Sequence, residues 1–122
     1  RCLARVAGAI RDTVRDGLDV VGRYGGEEFL VIIPDSDLAS ALPVADRMRR
    51  RIEQLAVPHD QAAAGIVTVS IGVAEGTLSD PASLTRAIVK ADTALYEAKA
   101  AGRNAVRPRA RPLVGKAMGH AA

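Results

Sequence analysis

Aromatic residues are almost missing from this 122-residue chain: tryptophan is absent, and the only rings of that class are Tyr24, Phe29 and Tyr96. Its core must therefore be built from Val, Ile, Leu and Ala. Cysteine is nearly absent too. Cys2 stands alone, which excludes an intramolecular disulfide and fits a reducing cytoplasm. Long apolar runs are also lacking. The longest uncharged stretch, residues 61–74, contains Thr68, Ser70 and Gly72 and falls short of the roughly 18 residues a membrane span needs. No membrane is expected within the chain, and no signal-peptide pattern opens it. Its first residue is Arg rather than Met, with an amphipathic pattern starting at once, so it reads as part of something longer. The length suits one small domain with a single core.

The charge is present but unevenly placed. The net charge is +3, yet Lys99, Arg103, Arg107, Arg109, Arg111 and Lys116 all follow the last acid, Glu97. Residues 1–97 hold the other eleven basic residues against all fourteen acids, a net of −3. A mildly acidic body with a basic, Pro- and Gly-containing tail from residue 108 argues against nucleic-acid binding and for a disordered terminus. The expected division is a domain over 1–107 and a tail over 108–122.

Along the chain, Leu3, Val6, Ile10 and Val14 are spaced by three and four, predicting an amphipathic helix that Gly17 ends. Val20-Val21 and the run from Phe29 to Ile33 read as the arms of a hairpin, the second buried on both faces because its apolar residues do not alternate. Leu38, Leu42, Ala45, Met48, Ile52 and Leu55 mark a second helix. Pro43 should kink that helix, unless Ser40 is its cap and the proline falls in the first turn. The loop over 56–65 carries His59, read as a surface histidine. Residues 66–74 alternate Val67, Val69, Ile71 and Val73 with Thr68, Ser70 and Gly72, predicting a strand. Asp80-Pro81 opens a third helix that Gly102 closes, and a last short strand follows over 104–107. This order predicts an α+β fold with helices covering a sheet.

The chemistry concentrates in Arg23-Tyr24-Gly25-Gly26-Glu27-Glu28-Phe29. Glycine adopts positive φ without strain, so Gly25-Gly26 suits a two-residue hairpin turn that passes close to a ligand. Such a turn would set Tyr24 opposite Glu27 and Arg23 opposite Glu28, with the two glutamates on opposite faces. Glu28 then reads as the partner of Arg23, and Glu27 as a metal ligand or general base. A solvated charged tip is the plain alternative. Lys99 and Arg103 lie four apart at the end of the third helix, either as cations favoured by the helix dipole or as a phosphate clamp. A carboxylate pair and a Lys-Arg pair together suit a triphosphate held by metal at one end and by cations at the other.

The seven-residue turn motif resembles the signature of the GGDEF family, the bacterial diguanylate cyclases, in its GGEEF form. Val67 to Val73 resembles the family's strand after the variable loop, and Ala91 to Asn104 its final helix and glycine cap. The three motifs run collinearly over about residues 1–107. The resemblance implies a nucleotidyl-cyclase, palm-like fold with a ferredoxin-like core. It implies condensation of two GTP molecules into cyclic di-GMP and pyrophosphate, for second-messenger signalling in the cytoplasm. It also implies Mg²⁺, with Mn²⁺ as a substitute, a homodimer whose two sites meet face to face, and an upstream sensory or receiver domain. In that pattern Glu27 is a metal ligand and candidate base for the attacking 3′-hydroxyl, and Glu28 is a supporting acid in the metal site. Gly25 and Gly26 let the turn approach the nucleotide, and Lys99 and Arg103 bind its phosphates.

Two departures accompany the resemblance. The family's first strand, with a metal-binding aspartate, and the guanine-contacting Asn and Asp of the helices after it belong before residue 1. The fragment alone is therefore expected to be inactive. Many relatives also carry Arg-x-x-Asp before the signature as a product-inhibition site. Here Asp19 holds the aspartate position, but Asp16 stands in place of the arginine and Arg15 is one place out of register. An acid there repels a phosphodiester, which weighs against inhibition by that route. The rival reading is a catalytically silent module that binds nucleotide or a protein partner.

Overall fold

The computed structural model describes residues 2–77 and 79–109. Helix α1 spans Cys2–Thr13 and buries Val6 and Ile10 of the predicted stripe together with Ala9, while Leu3 and Val14 are half-buried. It stops earlier than expected. Val14 N–H still reaches the Ile10 carbonyl at 3.3 Å, but the chain then tightens into a separate turn closed by Asp19 N–H on the Arg15 carbonyl at 2.9 Å. Gly17, at φ +79°, serves that turn and not the helix end.

Strands β1 (Val20–Gly25) and β2 (Glu28–Ile32) form an antiparallel hairpin. Its register differs from the expected one. Arg23 lies opposite Phe29 and Gly25 opposite Glu28, with a bulge at Tyr24 between them. The extra residue moves the turn one place along, onto Gly26-Glu27. Of these two only Gly26 has positive φ, at +51°, the pattern of a turn that demands glycine at its first central position alone. Arg23 does not pair with Glu28; its guanidinium bends back to donate to the Gly26 carbonyl.

Helix α2 (Leu38–Leu55) is capped by Asp37, whose carboxylate accepts from Ser40 N–H at 2.8 Å. Glu75 accepts a second free donor, Leu38 N–H, at 2.8 Å. Ser40 is thus not the cap, and Pro43 sits inside the helix. Leu42, Ala45, Met48 and Ile52 are buried along one face. His59 is exposed in the following loop, as expected.

The strand expected over 66–74 shrinks to β3 (Ile71–Gly72), paired in parallel with β4 (Val106–Arg107). A single bridge joins Ile66 to Pro58. Strand length depends on having a neighbour, and residues 68–70 have no ladder partner among the described residues. Helix α3 (Pro81–Ala100) has Asp80 as N-cap, accepting from Ser83 N–H at 2.8 Å, with Pro81 in the first turn. Gly102, at φ +111°, closes it.

The two hairpin strands and the β3–β4 pair form separate two-stranded sheets rather than one. Both lean on a helical layer whose centre is Val6, Ala9 and Ile10 of α1 with Met48 and Ile52 of α2. Val21, Phe29 and Val31 pack on this cluster from the hairpin, and Val67, Val69 and Ile71 pack on it from the segment that leads into and begins β3. Residues 29–33 are only half-buried, against the expectation of burial on both faces, because the space beside β2 is open. The tail expected from residue 108 lies, from residue 110 onward, outside the described residues.

Candidate functional site

The open space is a cavity of about 580 Å³ between β2 and residues 68–73, backed by Ala45, Met48 and Ile52 of α2. Gly25, Gly26, Glu27 and Glu28 line it from the hairpin, and Lys99 and Arg103 from the end of α3. The carboxylate pair and the cation pair, 71 residues apart between Glu28 and Lys99, therefore border one space. Glu27 is in the turn itself and Glu28 begins β2. Both are exposed, as are Lys99 and Arg103.

The end of α3 bears on what the two cations do. Its last free carbonyls are met by backbone: Glu97 by Ala101 N–H at 2.9 Å, Lys99 by Gly102 N–H at 3.3 Å and Ala98 by Arg103 N–H at 3.1 Å. The last two bonds, around a left-handed glycine, form a Schellman closure. Neither cation is needed to satisfy a carbonyl, and among the described residues neither forms an ion pair. Their charges remain available to an anion, with the favourable helix-dipole position as a lesser term.

On the acidic side, no group of three or more His, Cys, Asp or Glu suited to a metal occurs among the described residues. Glu27 and Glu28 offer two carboxylates, fewer than a full ligand set. Hard carboxylate oxygens suit Mg²⁺, which commonly takes one or two carboxylates and completes its octahedron with water and substrate phosphates. The donors present fit that use. Asp92 also lines the cavity. Sequence reasoning passed over it, although its spacing of seven from Lys99 puts both on one face of α3.

The other expected pair lies elsewhere. Neither Arg15 nor Asp19 lines the cavity; instead they bind one another. Arg15 Nη2 meets Asp19 Oδ1 at 2.7 Å, Arg15 Nε meets the same oxygen at 3.1 Å, and Arg15 N–H donates to Oδ2 at 2.7 Å. A further bond ties Nη2 to the Pro34 carbonyl at 3.2 Å. The Arg15 side-chain bond holds the Asp19 carboxyl below the ordinary carboxylate range, and the same bond raises the guanidinium. The Asp19 side chain is only 2% exposed, so the out-of-register arginine is already engaged by the aspartate it would share with a ligand.

Residues 1–105 match the family described as "Diguanylate cyclase, GGDEF domain". The chain is 38% identical over 104 residues to Diguanylate cyclase A of Treponema denticola, covering 85% of this chain and 27% of that protein. It is 44% identical over 93 residues to the response regulator PleD of Caulobacter vibrioides, covering 73% and 20%. Diguanylate cyclase VdcA of Vibrio cholerae is 42% identical over 105 residues, covering 84% and 30%. This chain thus spans less than a third of these relatives. Among solved structures, the coiled coil and GGDEF domain of DgcB from Caulobacter crescentus, in complex with c-di-GMP, superposes with a TM-score of 0.72 at 27% identity, covering 86% of this chain and 55% of that one. Diguanylate cyclase SiaD from Pseudomonas aeruginosa, with its activator SiaC, gives 0.67 at 31% identity, covering 87% and 39%.

Proposed function

The chain belongs to the GGDEF family, and from that premise we propose that it is the output domain of a cytoplasmic signalling protein that condenses two GTP into cyclic di-GMP. The observation that carries this reading is the shared cavity: Glu27 and Glu28 border it on one side, and two cations freed by the Schellman closure border it on the other. A triphosphate needs both, with a metal-holding end and a cationic end.

Diguanylate cyclases of this family depend on a metal ion. Mg²⁺, or Mn²⁺ in its place, would be held by Glu27 and Glu28 and would supply charge neutralisation at the phosphates. Lys99 and Arg103 bind and orient the phosphate chain, Arg103 through paired donors and Lys99 as a mobile point charge. Gly25 and Gly26 let backbone approach the nucleotide. Glu27 accepts the proton of the 3′-hydroxyl as its oxygen attacks the α-phosphorus of the GTP held by a second protomer. The new phosphodiester forms as the bond to the β-phosphate breaks, and pyrophosphate leaves. The reciprocal attack closes the ring, so the working unit is a homodimer, with a sensory or receiver domain upstream. In this reading nucleic acid is not a partner, and no membrane span lies within this chain.

The catalytic unit ends near residue 107, and its first strand precedes residue 1. The space between β2 and residues 68–73 is where that strand belongs in the resembled fold, and its aspartate would complete the metal site. The same open space, with no further carboxylate beside Glu27 and Glu28 at the hairpin end among the described residues, favours a second reading for the fragment by itself: a silent, nucleotide-binding module. The test is conversion of labelled GTP by the full-length protein and, in parallel, by residues 1–122. Cyclic di-GMP from the first and none from the second supports the proposal. No product from the full-length protein, with GTP still bound, establishes the silent module instead.

A further inference from the structure

Arg103 is held in an unusual backbone state. It and Asn104 both have left-handed φ, +65° and +47°, directly after Gly102 at +111°. Three consecutive left-handed residues, two of them with a Cβ, need support from elsewhere in the structure. The Schellman bonds fix the side toward α3, where Arg103 N–H donates to the Ala98 carbonyl at 3.1 Å. The other side is fixed by α2.

Asn104 reaches across to two residues one turn apart on α2. Its side-chain carbonyl accepts from Arg49 Nη1 at 3.1 Å, and its amide nitrogen donates to Glu53 Oε2 at 3.0 Å. A guanidinium only donates and a carboxylate only accepts, so this amide has one workable orientation. The two α2 residues are themselves braced: Arg49 Nε donates to Asp46 Oδ1 at 2.8 Å, and Nη1 also reaches Glu53 Oε1 at 3.3 Å. The Arg49 side chain is only 18% exposed, where charge-assisted bonds are stronger than in open water. None of these four residues lines the cavity; Arg103, the next residue along, does.

We propose that Asn104, gripped by Arg49 and Glu53, is the positioning residue that holds Arg103 in its left-handed conformation and keeps its guanidinium directed to the phosphate end of the cavity. This rests on the reading of Arg103 as a phosphate-binding cation. Asn104 touches no substrate and acts through its neighbour. Helix α2 thereby takes part in reading the triphosphate, although none of its charged side chains reaches it.

The experiment uses the full-length protein and two readouts. Asn104→Gly removes the amide while keeping access to positive φ, Glu53→Ala removes its acceptor, and Glu53→Gln restores an acceptor. Without ligand, hydrogen exchange at the Arg103 amide should quicken about fivefold in Asn104→Gly and Glu53→Ala, the worth of one lost hydrogen bond, and by less than about twofold in Glu53→Gln. Calorimetry with Mg·GTP should show affinity losses of about fivefold in the same two variants and near-normal binding in the glutamine variant. In an Arg103→Ala background the losses should vanish, because the lever they act through is gone. Losses that persist undiminished in that background, or an Arg103 amide that exchanges no faster, overturn the proposal. The parent reading fails separately: Arg103→Ala binding Mg·GTP as tightly as wild type removes the phosphate role itself and the positioning role with it. An Arg103→Ala defect with no defect in Asn104→Gly removes only the positioning role.

Discussion

Gly72 crosses α3 so closely that a Cβ on it would overlap the carbonyl oxygen of Ala91 and press on the backbone of Leu95. Backbone on both sides of this crossing leaves nothing flexible to move aside. The crossing is what brings β3 against the helix that carries Lys99 and leads into Arg103.

Gly72→Ala should therefore destabilise the domain by about 3 kcal/mol or more, at or beyond the upper end of ordinary overpacking. Urea unfolding measures it. A loss below about 1 kcal/mol would show that the helix and strand slide apart easily.

Glu27→Gln in the full-length protein should lower cyclic di-GMP synthesis by at least about a hundredfold, because an amide neither takes the hydroxyl proton nor ligates Mg²⁺ well. The thermal midpoint should hold, since Glu27 is exposed at a turn and forms no ion pair among the described residues. Near-normal turnover would refute its role as base.

Lys99→Ala should raise the KM for GTP about tenfold with a smaller effect on kcat, as expected for a contact made equally in ground and transition states. Backbone already closes the helix end, so stability should change little. An unchanged KM with a lowered melting temperature would return Lys99 to a helix-dipole role.

Because Arg15 is committed to Asp19 and to the Pro34 carbonyl, the full-length enzyme should show little non-competitive inhibition by its product. Arg15→Ala should leave what inhibition there is unaltered. Potent inhibition in the wild type that disappears in Arg15→Ala would show instead that the pair opens to receive the ligand.

Acid sensitivity should trace to the helix caps. Hydrogen bonds from Ser40, its hydroxyl foremost, lower the Asp37 carboxyl, and the Ser83 backbone N–H lowers that of Asp80. A carboxyl lowered on folding binds its proton more readily in the unfolded chain. Its stabilisation is whole above the unfolded value of about 3.9 and is lost as pH falls through the lower folded value. Asp37→Asn with Asp80→Asn should keep most of the neutral-pH stability, since Asn also caps, and should flatten the stability profile below about pH 4. An equally steep acid profile in the double variant would locate the sensitivity elsewhere.

What was legible in the sequence was what is decided locally. Apolar spacing placed all three helices, and Asp80-Pro81 and Gly102 marked both ends of α3, because caps and glycine closures act within a few residues. The gathering of Glu27, Glu28, Lys99 and Arg103 around one space was legible too, through chemistry that suits one ligand. The hairpin register was missed by one place because no residue letter announces the bulge at Tyr24. The strand over 66–74 was overlong because alternation records which face is apolar, not whether a neighbour is there to bond. Asp37, not Ser40, caps α2, and the contact of Glu75 with Leu38 N–H supports that earlier start from 37 residues away. The grip of Arg49 and Glu53 on Asn104 spans about half the chain and leaves no local trace.

The separation into two sheets has a mechanical meaning. The carboxylates ride on the hairpin and the cations at the end of α3, which is packed to β3 and β4, and among the described residues no hydrogen-bonded ladder runs from one carrier to the other. The gap between them behaves like the jaws of a caliper whose beam is the helical layer of α1 and α2. A strand wedged between the jaws sets their opening by its own width, about 4.8 Å to each neighbour. It would then fix the metal-to-phosphate span as rigidly as any residue that touches the nucleotide, and a pull on that strand from outside the domain would be felt as a change of gauge at the reacting atoms.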